Sequence, residues 1–354
     1  MTDKKIKIAV IGAGSIATSQ HIPNYKKLEN VEIKYVVDII PERAEQAAEK
    51  FGIPFMATDY KTILNDPELE AVSVCTPNYA HAPITIDFLN AGKHVLCEKP
   101  AALNLTEAKQ MQEAAVRNNK MLNIGVVNRY NTAVNHIKNM INAGELGDIY
   151  HVYCSFRAHR SIPGLGGAFT TKEKSGGGVL VDWGVHFLDI IFYCLGDTKI
   201  NSVSGAVYNE MAKDMQSYAY TSMWAGPPDY SGINDVEDFV TGLVRTTGPT
   251  INLNGAWAQN IGESAMFIEF LGDKAGIKLN YGGDFTVYSS KGEVLTETLP
   301  SYATTDMFFE EMKDFIRSAQ TGEKSRSHID QVIITTEAMD ALYESADKAS
   351  EIKL

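Results

Sequence analysis

Over its first third the chain alternates two hydrophobic patterns. Short runs that are predominantly apolar, KIKIAVIG (5–12), VEIKYVVD (31–38), AVSVCTP (71–77), KHVLCEKP (93–100) and KMLNIGVV (120–127), alternate with stretches whose apolar residues recur at helical spacing. Those stretches, SIATSQHIPNYKKL, PERAEQAAEKFG, AHAPITIDFLNAG and TEAKQMQEAAVRNN, carry helix punctuation: Pro41 stands in a first turn, and Gly52 and Gly92 follow last turns. A strand that is apolar on both faces has to be covered on both faces. The pattern therefore predicts a parallel sheet between two helical layers, a doubly wound α/β domain over residues 1–127.

Beyond residue 128 the period changes. One helix is expected at 131–143, and IYHVYCSFRAHR (149–160) then alternates as a half-buried antiparallel strand. Further strands are expected at 199–208, 236–245, 250–258, 265–271, 276–280 and 284–289, with Gly-containing turns between them, and two helices at roughly 305–320 and 329–348 end the chain. Residues 128–354 thus read as an α+β domain for substrate binding and oligomerisation, its C-terminal helix free to pack back on the first domain. The Gly/Pro-rich segment 161–178 is long for a plain connection, and such loops often cover a site.

Composition narrows the functional classes. Hydrophobic residues make up 44% and charged residues 21%, globular values, and no contiguous apolar run approaches the roughly 18 residues that cross a bilayer. A strand begins within a few residues of the start, leaving no room for a signal peptide, so the expected location is cytoplasmic, away from any membrane. The net charge of −12 and the lack of a Lys/Arg run argue against nucleic acid as a partner. Cys75, Cys97, Cys154 and Cys194 are widely separated, without the spacing of a zinc site, and no metal is expected.

Three segments carry candidate chemistry. GAGSIA (12–17) lies between a predicted strand and helix, and Asp38 ends the next strand. Together they match a dinucleotide fingerprint: Gly12, Ala13, Gly14, Ser15 and Ile16 present backbone and a helix N-terminus to a pyrophosphate, and Asp38 accepts hydrogen bonds from ribose hydroxyls. An acid there repels a 2′-phosphate, so NAD is favoured over NADP, with Arg43 able to soften that preference and Ile39 a further cofactor contact. CTPNYAH (75–81) ends another strand, where ligands of such sheets lie, so Cys75, Thr76, Asn78 and His81 are either cofactor contacts or helix-capping residues.

The strand at 94–97 delivers Glu98 and Lys99 to the same end of the sheet, followed by Pro100, which restricts the backbone of Lys99. A lysine there can steady an alcohol oxygen that is losing its proton while hydride leaves the adjacent carbon; the plainer reading is a salt bridge at a strand end. In SGGGVLVDWGVHFLDIIFYCLG (175–196), Asp182 and His186 are four residues apart on one helical face. That pairing suits a base held in position, and equally a helix surface contact.

These residues resemble the glucose-fructose oxidoreductase, inositol dehydrogenase and MocA-like family of NAD(P)-dependent sugar and polyol oxidoreductases. The resemblance rests on GAGSIA, on Glu98-Lys99-Pro100, and on the Gly-rich run before Asp182 and His186. It implies a Rossmann domain followed by an open, mostly antiparallel sheet used to form homodimers or homotetramers. It also implies roles: Lys99 as the catalytic lysine, His186 as general acid/base, Asp182 as its partner and a substrate ligand. Two other activities fit the same motifs, a redox-assisted glycoside hydrolase and a non-enzymatic dinucleotide-binding regulator.

Substrate contacts are expected beside Lys99, Asp182 and His186. Arg129 and Tyr130 end the last strand of the first domain and can bind hydroxyls or cap the next helix. Tyr153, Arg157 and His159 fall on one face of the 149–160 strand by alternation, with Arg160 following, toward a pocket or toward solvent. Trp183, adjacent to Asp182, suits a sugar face or the core.

Overall fold

The computed structural model describes residues 5–354. The chain forms two compact units, one running through Tyr130 and including Thr305–Ile333, the other comprising Asn131–Thr304 and Ile334–Leu354. The division lies three residues later than the 127/128 boundary read from the pattern, because the turn Val127–Tyr130 is buried in the first unit.

In the first unit, β1 (Ile6–Ile11), β2 (Val31–Val37), β3 (Phe55–Ala57), β4 (Ala71–Val74), β5 (His94–Glu98) and β6 (Leu122–Gly125) form one sheet in the order β3-β2-β1-β4-β5-β6. Every pairing is parallel. The doubly wound fold follows from the burial of both faces: β4 is buried at every position, and separate apolar clusters lie on its two sides. One cluster takes in Phe88, Met111 and Val332; the other takes in Tyr25, Met312 and Phe315. β3 is an edge strand with Phe55 and Met56 exposed, and so has none of the apolar density that marks the others.

The returning segment is locked by two residues that the sequence offers as substrate ligands. The Arg129 guanidinium, 1% exposed, donates to the carbonyls of Arg326 (2.8 Å) and Gln331 (3.0 Å). The Tyr130 hydroxyl donates to Asp314 Oδ2 at 2.9 Å. Both side chains are spent on fastening 305–333 to the sheet. The expectation of substrate contacts there is corrected: an arginine this deeply buried has to satisfy its donors within the protein.

In the second unit, β7 (Ile149–Arg157), β8 (Ile200–Tyr208), β9 (Phe239–Thr246), β10 (Thr250–Ala256), β11 (Ala265–Gly272), β12 (Ala275–Asn280), β13 (Phe285–Lys291), β14 (Val294–Thr298) and β15 (Ile352–Lys353) make a nine-stranded sheet, β14-β13-β12-β11-β7-β10-β9-β8-β15. β7 pairs antiparallel with β11 but parallel with β10, so the strand expected to be wholly antiparallel is the one mixed position. Val152, Cys154 and Phe156 of β7 point into the core with Phe187 and Leu188, and Leu342 packs over Gly205 and Gly242 on that same side. Helices therefore cover one face, and alternation turns Tyr153, Ser155 and Arg157 to the other.

Lys172–Leu195 is apolar enough over an 18-residue window to meet the composition of a membrane span, with mean hydropathy 1.5. A count of contiguous apolar residues misses this because a helix tolerates scattered polar positions such as Asp182 and Asp189. Of that window 72% is buried inside the fold, the behaviour of a core helix. The expected cover segment 161–178 is not structureless either, since it contains the short turns Ala168–Thr170 and Lys172–Ser175.

Replacing Arg129 with Ala removes charged hydrogen bonds to buried carbonyls and is expected to cost about 3 kcal/mol, read as a lower urea midpoint. A substrate ligand at this position would instead leave the midpoint unchanged and raise KM.

Candidate active site

At the carboxyl end of β1 the chain turns through Gly12, whose φ is +94° and whose hypothetical Cβ would lie 2.5 Å from the Cys75 carbonyl oxygen. Only glycine fits. Gly14 faces open space, with nothing within 4 Å of where a Cβ would stand, and Ser15 beside it is exposed. A helix starts here, so unpaired N–H groups and the positive end of a helix dipole adjoin an open glycine surface.

Asp38, at the end of β2, is buried. Its Oδ2 accepts from the Ala13 N–H at 2.8 Å and its Oδ1 from the Ile40 N–H at 2.9 Å. Each oxygen keeps a second lone pair, which suits ribose hydroxyls, whereas a 2′-phosphate would meet a like charge. Ile39 and Arg43 are exposed alongside. At the end of β4, Cys75 is buried, and the Thr76 hydroxyl is buried without a hydrogen-bond partner. An orphaned hydroxyl at this strand end, an open glycine turn and a carboxylate with spare lone pairs together fit a bound dinucleotide.

Asn78 opens the one-turn helix Asn78–Ala80. His81 differs from its expectation as a cofactor contact. It is 1% exposed, and its ring nitrogens lie 2.7 Å from the Pro100 carbonyl and 2.8 Å from the Thr76 carbonyl. Burial lowers its basicity while the two carbonyls act in the opposite direction. It clamps the ends of β4 and β5 together, with no ring atom left for a ligand. At the end of β5, Glu98 is buried and its Oε2 accepts from the Lys99 N–H at 3.1 Å, while the Lys99 side chain is half-buried.

In the second unit, Asp182 lies in the π-helical turn Leu180–Gly184, which leads directly into the helix Val185–Leu195. Wide turns of this kind are frequent at functional sites. From Leu180 to Cys194 every side chain is buried except Asp182, Trp183 and His186, which are half-buried. The Asp182 Oδ2 accepts from the indole Nε1 of Trp257, a fully buried residue just past β10, at 3.2 Å. The helix start is held by Glu237, whose carboxylate accepts from the N–H of Gly178 (2.8 Å) and of Leu180 (3.0 Å) and from the Tyr343 hydroxyl (2.9 Å). Burial raises the Glu237 pKa, against the pull of those donors. A Cβ on Gly178 would lie 1.9 Å from the Glu237 carbonyl oxygen, so only glycine lets the segment before β9 approach here.

Residues 6–126 match the oxidoreductase family with an NAD-binding Rossmann fold, and residues 134–278 match the GFO/IDH/MocA C-terminal domain. The chain belongs to the GFO/IDH/MocA family. It is an NAD-binding oxidoreductase. It is 31% identical to D-glucoside 3-dehydrogenase of Escherichia coli (strain K12), over 100% of this chain and 99% of that one. It is 34% identical to inositol 2-dehydrogenase of Salmonella typhimurium, over 54% of this chain and 55% of that one. Among solved structures, levoglucosan dehydrogenase in complex with NADH superposes with a TM-score of 0.86 at 22% identity, covering 99% of each chain. Aldose-aldose oxidoreductase from Caulobacter crescentus, complexed with glycerol, gives 0.82 at 22% identity, covering 99% of this chain and 100% of that one. Both likenesses are likenesses of fold.

Within the family frame, the first unit brings Gly12–Ile16, Asp38, Thr76 and Lys99 to the carboxyl ends of neighbouring strands. The second groups Asp182, Trp183 and His186 on one helical stretch. The remaining arginines are corrected. Arg157 lies on the sheet face opposite the helix bearing His186, with its Nε donating to Ser155 Oγ. Arg160 lies beyond the end of β7 and donates to the carbonyls of His159 and Gln259 and to Asn260 Oδ1. Glu237, Trp257 and Tyr343 carry no local motif; they reach the Asp182 segment only through the fold.

Asp38→Ala is expected to raise the Kd for NAD roughly 10- to 100-fold in calorimetric titration, the loss of charge-assisted hydrogen bonds. It should also narrow the gap between NAD and NADP. An unchanged Kd would contradict the assignment of Asp38 to the ribose.

Proposed function

We propose that this oxidoreductase moves a hydride between NAD and a secondary alcohol or ketone of a sugar, sugar derivative or inositol. The names of its relatives support the substrate class and favour it over the hydrolase and regulator readings. The observation that carries the residue assignment is the selective exposure of Asp182, Trp183 and His186 on an otherwise buried helix. A fold that buries an apolar helix has no structural need to leave an acid and an imidazole in reach of solvent.

When bound, NAD supplies the hydride acceptor. The His186 imidazole takes the hydroxyl proton, since it is the side chain best able to trade a proton near neutral pH. Lys99 donates a hydrogen bond to the same oxygen as negative charge builds on it, and the charge is stabilised most in the transition state. Asp182, fixed by the Trp257 indole, orients the imidazole and binds a neighbouring hydroxyl. Trp183 offers a flat apolar surface to the ring.

We also assign homo-oligomer formation to the uncovered face of the second unit's sheet. Tyr153 packs there against Phe267 at 5.7 Å between ring centroids, and Tyr208 against Phe239 at 5.6 Å. Aromatic pairs on a face without helices suit burial against a second copy.

Incubation with NAD and a panel of glucosides, aldoses and inositols should yield the absorbance of reduced nicotinamide. With the best substrate, Lys99→Met is expected to lower kcat by about 10²-fold or more and His186→Ala by roughly 10²- to 10⁴-fold, both proteins remaining folded. Full activity in either variant would overturn that residue's role.

A further inference from the structure

Behind Glu98 lies a line of buried polar groups for which the reaction itself has no use. His21 Nε2 is 2.7 Å from Glu98 Oε1, His21 Nδ1 is 3.2 Å from Ser73 Oγ, and the Tyr25 hydroxyl is 2.6 Å from that same Oγ. His21, Ser73 and Tyr25 are 0% exposed. One assignment of protons satisfies every contact: Tyr25 donates to Ser73, Ser73 donates to His21 Nδ1, and His21 Nε2 donates to the carboxylate. The other oxygen of Glu98 accepts the N–H of Lys99. Gly125 on β6 leaves the space, since a Cβ there would come to 3.0 Å from the Glu98 carboxyl carbon.

The chain position of His21 gives the network its meaning. His21 closes the π-helical turn Ala17–His21, which follows immediately on the glycine turn at 12–16. The helix whose first N–H groups face the pyrophosphate is therefore tied, through one imidazole and one carboxylate, to the backbone of the lysine on β5. We propose that His21 is a positioning residue for the oxidoreductase reaction: by holding Glu98 it fixes the Lys99 backbone relative to the cofactor loop, so that lysine and nicotinamide keep their register. This rests on the reading of Lys99 as the group that steadies the substrate oxygen.

The alternative, a buried pair serving stability alone, does not explain why the second carboxylate oxygen is spent on Lys99. Burial by itself would raise the Glu98 pKa; the hydrogen bond from His21, then the charge and backbone N–H of Lys99, outweigh it and hold the group below the ordinary carboxylate range. A charged carboxylate is a firmer acceptor for the Lys99 N–H than a neutral carboxyl. A displacement of about 1 Å at a reacting group costs on the order of 100-fold in rate, so a loose anchor reaches the chemistry without touching substrate.

The test compares His21→Leu with His21→Gln in the full chain, alongside Lys99→Met. Leucine removes the donor, and glutamine can return an N–H to Glu98. His21→Leu is expected to lower kcat roughly 10- to 100-fold while the Kd for NAD stays within about twofold, and His21→Gln to recover most of the loss. Unchanged kcat in folded His21→Leu, with Lys99→Met inactive, overturns the positioning role and leaves the lysine assignment standing. Equal losses in the Leu and Gln variants, tracking their thermal midpoints, also overturn it. Full activity in Lys99→Met overturns both. If His21→Leu does not accumulate as folded protein, Ser73→Ala decides: a fall of about fivefold in kcat supports the network, and no change overturns it.

Discussion

A buried carboxylate at the end of a parallel strand has to be partnered on every side, and in this protein that demand fixes the position of the lysine beside it. Glu98 is buried at the end of β5, where its two oxygens are taken by the His21 imidazole and the Lys99 N–H. Because all strands of this sheet run the same way, the glycine turn after β1, the acid after β2, the hydroxyl after β4 and the lysine after β5 emerge along one edge. The parallel topology thus collects residues far apart in sequence without any contact designed to bring them there. A network on one side of that edge then sets how precisely the lysine is held.

The second unit meets a related difficulty by other means. Its site helix is nearly all core, so an acid and an imidazole can be offered from it only if the turn that begins it is held firmly. Glu237 takes two N–H groups from that turn, Tyr343 completes its coordination, and the Trp257 indole fixes the Asp182 carboxylate. These supports come from the segment just before β9, from the residue just past β10 and from the last long helix. The groups proposed to react sit on regular elements, held by residues behind them.

What could be read from the chain follows from which signals are local. The predominantly apolar strands and the glycine-rich turn are local patterns, and they name the parallel sheet and the edge where a dinucleotide would lie. Lys99 stands out as a candidate because an apolar strand ending in two ionisable groups departs from the surrounding pattern, and the structure places it directly after β5. β3, β14 and β15 were not legible, since a three-residue edge strand with exposed phenylalanine, or a two-residue closing strand, carries no periodicity. Arg129 and Arg157 were misleading for one reason: an arginine signals a ligand only if its donors are spare and it faces the site. The first is consumed by carbonyls of the returning segment, and the second points to the other side of the sheet. His21, Glu237 and Trp257 were invisible as site residues because a buried polar side chain looks like any other until its partner is known.

The central claim is that the lysine at the end of β5 and the imidazole of the second unit act on a single substrate oxygen. A crystal structure of the protein with NAD and the best sugar or inositol of the substrate panel tests it most directly. The account predicts one hydroxyl oxygen within about 3 Å of both Lys99 Nζ and a ring nitrogen of His186, its carbon facing the nicotinamide. A bound substrate whose reacting hydroxyl is held by other groups, with either side chain out of hydrogen-bonding reach, would contradict it.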